Sequence, residues 1–256
     1  MLFRSLNPSI ADRFWLMPLN QFDGRHFGFA RQMQWRAGAN YTEARDYDRA
    51  ITRMVRFTRW LGMAIERMRI GLAKGAMQPR IIAERMLAQA DNFAAANDSN
   101  VFLAPLKAMP AALSPAEHKR VESAYREAVE GTLLPAYRRL ADFLKDEYLP
   151  AARSAPGLSA MEGGRAMYLY LVRSHTTLET TPEALHALGL SEIARIERTM
   201  EDVKARTGFS GSLSAFRQFL RSDPRFRFGG REPMRIAFES ARDKVQINLE
   251  IGRAHV

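Results

Sequence analysis

Apolar residues recur along most of the chain every three or four positions, the period of a helix buried on one face. From Glu43 to Leu72 they fall at Ile51, Met54, Val55, Leu61, Ile65, Met68 and Leu72, which predicts one long amphipathic helix. Gly71 and Gly75 weaken its end, and Pro79 opens a second helix from Arg80 to about Ala96. Asn97 to Asn100 is a polar break, and Pro105 and Pro110 hold the next stretch extended or turned. Ser114-Pro115-Ala116-Glu117 is a strong start signal: Ser114 caps free backbone N–H groups, Pro115 suits the first helical position and Glu117 completes a capping box. That helix carries Val121, Tyr125 and Val129. It then meets Gly131 and Pro135, where a kink is expected before a second segment from Ala136 to about Tyr148.

The segment from Pro150 to Gly164 is rich in Pro, Gly and Ser and is the best candidate hinge. The apolar, aromatic-rich stretch after it, Ala166 to Val172, fits a short buried helix or a strand, and periodicity does not decide between them. Thr181-Pro182-Glu183 starts the clearest helix, with Leu185, Leu188, Ile193, Ile196, Met200 and Val203 on one face and Gly208 at its end. Ser212 caps a short helix to Leu220, Asp223-Pro224 breaks it, and a last helix runs from about Glu232 to Leu249. The fold class is therefore all-α, a multi-helix array.

Composition narrows the chemistry. The 256 residues are 46% hydrophobic with a net charge of +10 and no Cys, an ordinary globular composition. Without Cys there are no disulfides, thiol nucleophiles or thiolate metal sites. No apolar run approaches the roughly 20 residues of a membrane span, and no signal peptide is visible at the N-terminus. The basic residues Arg49, Arg53, Arg56 and the aromatic Trp60 share a helical face, with Arg45 and Arg67 nearby. Such a stripe could track phosphates. Acids are dispersed through the rest of the chain and no Lys/Arg block exists, so the stripe reads as a solvated face and nucleic acid as an unlikely partner.

Catalytic motifs are missing. A zinc peptidase helix needs His-Glu-x-x-His, in which two imidazoles four residues apart hold the ion and the Glu activates water. None of His26, His118, His175, His186 or His255 is followed by Glu. Glu183-Ala-Leu-His186 has the spacing of a di-iron bundle ligand pair, but that site needs a second pair, which is absent. Neither a Gly-x-Ser-x-Gly elbow nor a glycine-rich phosphate loop occurs. No catalytic, cofactor-binding or metal residue can be assigned. The densest polar–aromatic cluster is Tyr168-Leu-Tyr170-Leu-Val-Arg173-Ser-His175-Thr176-Thr177, at the junction of an apolar segment and a capped helix. Such a junction can line a pocket; its hydroxyls can equally bond neighbouring backbone.

The same region carries a resemblance. Leu149-Pro-Ala-Ala-Arg153, Gly157-Leu-Ser-Ala-Met-Glu-Gly-Gly164, the Tyr168–Thr177 run, Thr181-Pro-Glu-Ala-Leu-His-Ala-Leu-Gly189 and Ile193-Ala-Arg-Ile-Glu197 resemble the domain-of-unknown-function family 885 (DUF885). Met17-Pro-Leu-Asn-Gln-Phe-Asp-Gly24, the segment from Val129 to Pro150, and Ser222-Asp-Pro-Arg-Phe226 fit it too. The resemblance implies a large, mostly helical bacterial protein similar to zinc metallopeptidases, whose His-Glu-x-x-His motif lies downstream of the region matched here. It implies zinc and a peptide substrate for the intact parent. The present chain is expected to form part of a larger zinc-peptidase-like helical fold and to be catalytically inert by itself, with Tyr168, Tyr170, Arg173, His175, Thr176 and Thr177 lining a substrate cleft. The alternative is a stand-alone helical binding module for nucleic acid or an acidic partner.

The ends also read as foreign. Met1 to Ser5 and Ile251 to Val256 look like the in-frame translation of a sequencing adapter, one orientation at each end. On that reading residues 6–250 are a single helical domain fragment, truncated at both ends, with a net charge of +8. Compartment then stays open, cytoplasmic or exported, as do peptide specificity and oligomeric state.

Overall fold

A computed structural model describes residues 13–22, 24–33 and 41–253, with backbone only at 248 and 250–253. Residues 1–5 and 254–256, His255 among them, lie outside the described residues. The architecture is all-α. Among the described residues there is no β-strand, only a lone bridge between Pro79 and Arg153. The chain divides into two compact units, Met1–Glu179 and Thr180–Val256.

In the first unit, α1 (Arg25–Met33), α2 (Ala44–Ala73) and α3 (Arg80–Ala94) are followed by a 3-10 turn, Val101–Ala108. Next come α4 (Pro115–Ala128) and α5 (Leu134–Phe143), and after them α6 (Gly164–Thr176). The Ser114 capping box forms as its spacing predicts, with Glu117 and Ser114 satisfying each other's backbone N–H groups. At the expected kink the backbone changes to a π turn, and residues 115–151 stay helical throughout. Two π turns, Val129–Leu133 and Leu144–Tyr148, precede Pro135 and Pro150. A proline lacks an N–H and its ring crowds the carbonyl one turn back; a widened turn meets both demands without ending the helix.

α2 packs on α4 and α5, and α3 lies along α5. Their shared interior holds Met54, Leu61, Met68, Met86, Leu133 and Leu140, all with no exposed surface. At its centre Tyr137 touches Phe57, Phe93 and Phe102, with ring centroids 5.8, 5.2 and 5.4 Å away. Buried phenols need partners, and they have them. The Tyr137 hydroxyl donates to His26 O at 2.6 Å, the Tyr47 hydroxyl donates to Pro105 O at 3.3 Å, and the Gln78 N–H donates to the Tyr148 hydroxyl at 2.7 Å. Burial pushes the Tyr47 and Tyr148 phenols up to about 12.

The expected hinge between Pro150 and Gly164 is instead tied down. Arg80 N–H donates to Arg153 O at 2.8 Å, and the Arg153 guanidinium donates to Met77 O at 3.1 Å and Gly157 O at 2.6 Å. One long side chain thus replaces the hydrogen bonds that regular structure would have supplied.

The second unit contains α7 (Pro182–Arg206), α8 (Leu213–Ser222) and α9 (Arg231–Arg253). Thr181 and Ser212 cap as expected, and Gly208, with φ +70°, ends α7's C-terminal turn in the left-handed region. Its interior is small. Phe209, Phe216 and Phe219 cluster with centroids 5.2 to 6.3 Å apart, and only Phe216 is buried. No residue of α7 is buried: Leu188, Ile193 and Ile196 are 56, 57 and 47% exposed.

Candidate functional site

The aromatic stretch that periodicity left undecided is helical, and α6 carries all six cleft candidates, Thr177 as its C-cap. Its start depends on two glycines. Gly163 has φ +67°, and a Cβ on Gly164 would stand 1.7 Å from the carbonyl oxygen of Leu158, so only glycine lets the 3-10 turn at Leu158–Ala160 approach the helix. The helix then rests on a small apolar cluster of Ala76, Met161 and Met167, against which Tyr170 packs.

The helix does not gather its six candidates at one point. At 3.6 residues per turn, Tyr168 and His175 stand about two turns apart on one face. Tyr170, Arg173 and Thr177 fall on roughly the opposite side. Tyr168 is 44% exposed and His175 is also open to solvent. Arg173 forms an exposed ion pair with Glu179 at 2.9 Å, the kind that contributes little to stability. Both threonines bond local backbone. Thr176 Oγ1 donates to Val172 O at 2.7 Å and accepts from Leu178 N–H at 3.1 Å; Thr177 Oγ1 donates to Thr176 O at 2.6 Å. Thr177 N–H closes the helix on Arg173 O at 2.8 Å. The pair of side chains free to meet a ligand is therefore Tyr168 and His175, a hydroxyl and an imidazole on one surface.

Two features were not legible in the sequence. Thr177 has φ +61°, the one positive φ outside glycine among the described residues. A β-branched residue there costs on the order of 1–3 kcal/mol, so the turn out of α6 is held in a strained shape. The second is His26, with no exposed surface. Gln89 donates to Gln21 O at 2.9 Å, which leaves its Oε1 facing His26 Nε2 at 3.1 Å. Nε2 is then the donor, and Nδ1 is buried with no partner among the described residues. Burial lowers this imidazole to about 4, the hydrogen bond to Gln89 opposing the shift. His26 is thus a neutral core group. Its flanking residues, Arg25 and Phe27, gave no sign of that.

Among the described residues no group of three or more His, Asp or Glu side chains could hold a metal ion. His118 faces Glu122 on α4, at 3.9 Å, and His186 is exposed near the start of α7. The described residues therefore offer no set of side chains that fits a zinc site. No helix among them is long and apolar enough to cross a membrane.

The order of motifs around α6 finds its counterpart in a family profile that matches residues 2–250. The chain belongs to DUF885. The family is described as bacterial protein of unknown function. No curated protein matches the chain. A similar solved structure, titled "The crystal structure of the putative lipoprotein from Colwellia psychrerythraea", superposes with a TM-score of 0.76 at 19% identity. At that identity the likeness speaks for the fold alone. The match takes in 92% of the present chain but 40% of the other, so this DUF885 chain spans about two fifths of the solved structure it resembles.

Proposed function

We propose that this chain is the helical wall of a larger DUF885 protein, a zinc-dependent peptidase-like hydrolase when intact, and that the wall by itself is catalytically inert. The observation that carries the reading is the open apolar face of α7, no residue of which is buried. An amphipathic helix of that length is stabilised mainly by covering its apolar face, and a fold more than twice as long supplies chain to cover it. On this reading the zinc ligands and the general base belong to residues beyond this chain. Tyr168 and His175 line the cleft from the α6 side, where they would position a peptide by hydrogen bonds to its backbone.

The test begins with the source DNA. The reading frame is expected to continue past Glu250 into a His-Glu-x-x-His stretch. The extended protein should bind one zinc per chain and hydrolyse peptides, and His175→Ala in it should weaken peptide binding. A stop codon directly after Val256, or an extended protein that binds no zinc and cleaves no peptide, overturns the proposal. Unchanged peptide binding and turnover in His175→Ala would remove α6 from the cleft.

A further inference from the structure

The outer face of α2 is more cationic than its neighbours require. Between Arg49 and Lys74 the helix carries seven Arg and Lys residues and one acid, Glu66, which accepts from Arg69 at 2.6 Å. Arg69 turns away from the face discussed here, towards Glu147 at 2.8 Å. Arg53, Arg56 and Arg59 are exposed, and none has an ion pair among the described residues. At 1.5 Å per residue, Arg49 and the C-cap Lys74 stand about 37 Å apart along α2.

Apolar side chains interrupt these cations on the solvent side. Met63 and Ile70 are 53 and 49% exposed, one turn either side of Arg67. Trp15, 61% exposed, comes from the preceding segment and lies under the Arg67 guanidinium, 4.9 Å from ring centroid to Cζ. Trp15, Leu16, Arg67 and Lys74 line one open recess. A second stack, Arg25 over Trp60 at 5.6 Å, continues the pattern further up the helix. Trp60 rests on Phe57 at the core's edge, but Trp15, Met63 and Ile70 stay outside the packed clusters, and α2 buries its other side through Met54, Leu61 and Met68.

We infer that this face of α2 docks onto an anionic lipid surface. Clustered Arg and Lys draw a protein to a negatively charged headgroup layer. Exposed indole and aliphatic side chains among them seat in the headgroup boundary, where an amphipathic ring is at home. A nucleic acid would reward the cations equally, but gains nothing from Met63 and Ile70, whose exposure is the observation favouring lipid.

The experiment is sedimentation of the full 256-residue chain with vesicles of phosphatidylcholine containing roughly one third phosphatidylglycerol, compared with phosphatidylcholine alone. Binding is expected only to the anionic vesicles and is expected to fall as salt rises. The variant R53Q/R56Q/R59Q removes three charges that form no ion pair among the described residues, so its circular dichroism should be unchanged and its partition roughly a hundredfold weaker. Trp15→Phe should retain most of the binding and reduce the blue shift of indole emission on vesicle addition, leaving the part that Trp60 contributes. Equal sedimentation with neutral vesicles would assign the binding to other apolar surface, such as that of α7, and overturn the inference. So would unchanged partition of the triple variant, or a duplex DNA held more tightly than the vesicles and lost in the same variant.

Discussion

Residues 13–179 and 180–253 are written in the same helical idiom and end in opposite states. α3 and α7 both begin at a proline turn, both carry apolar residues at three-and-four spacing, and both are long enough to need a partner. α3 buries Ala83, Met86, Ala90 and Phe93, whereas α7 buries nothing. The difference does not lie in amphipathicity, which both possess. It lies in whether another apolar stripe is present to meet the first. α5 supplies that stripe for α3, and the phenylalanine cluster around Phe216 is too small to do the same for α7. An apolar face in a sequence is a demand for a partner, and the sequence of the face does not say where the partner is.

The comparison breaks first at the core. Tyr137→Ala removes a ring packed among three others and the donor to His26 O, and should cost about 4 kcal/mol in chemical denaturation of the first unit. A loss under about 1 kcal/mol would mean that unit is far looser than its packing implies.

Acid offers the next largest effect, again confined to the first unit. His26 is held near 4 in the fold against 6.5 in the unfolded chain, so between those values the unfolded state binds the extra proton. Its contribution is intact above pH 6.5 and is lost as pH falls towards 4, about 3 kcal/mol in all. His26→Gln should flatten that part of the stability curve; an unchanged slope would place the acid sensitivity elsewhere.

Strain at the end of α6 comes third. Thr177→Gly relieves a left-handed threonine and should raise the melting free energy by up to about 1 kcal/mol, net of the extra freedom glycine has when unfolded. A loss of stability would mean that the hydroxyl bond to Thr176 O outweighs the backbone strain.

The smallest effect is the sharpest test of the contrast. Ile193→Ala in this chain should change stability by under about 0.5 kcal/mol, because the side chain is already 57% exposed. In a longer protein that covers α7 the same substitution should cost about 2–4 kcal/mol. Equal costs in both would show that α7 stays open in the longer protein too.

Legibility followed the range of the forces involved. The helix starts at Ser114, Thr181 and Ser212 were readable because a cap is settled within four residues. The prolines at 135 and 150 were readable as disturbances but not as π turns, since whether a helix breaks or widens depends on the packing that holds both sides together. Family membership was readable from the order of motifs around Tyr168–Thr177. The candidate site itself was readable only as a neighbourhood: the sequence names six polar and aromatic residues, and the helix sends Tyr168 and His175 one way and Tyr170, Arg173 and Thr177 another.

Sequence alone determined the all-α class, most helix limits, the caps and the absence of a local catalytic motif, because each depends on residues close together along the chain. Tertiary structure decided the rest. It made His26 a neutral core residue, tied the Pro150–Gly164 segment to Met77 and Arg80 through Arg153, and left α2 with a cationic, partly apolar outer face. The first two outcomes rest on groups more than sixty residues apart meeting in space, the third on groups from other elements laid against α2. Burial, desolvation and partner choice are properties of that meeting, and no local pattern contains them.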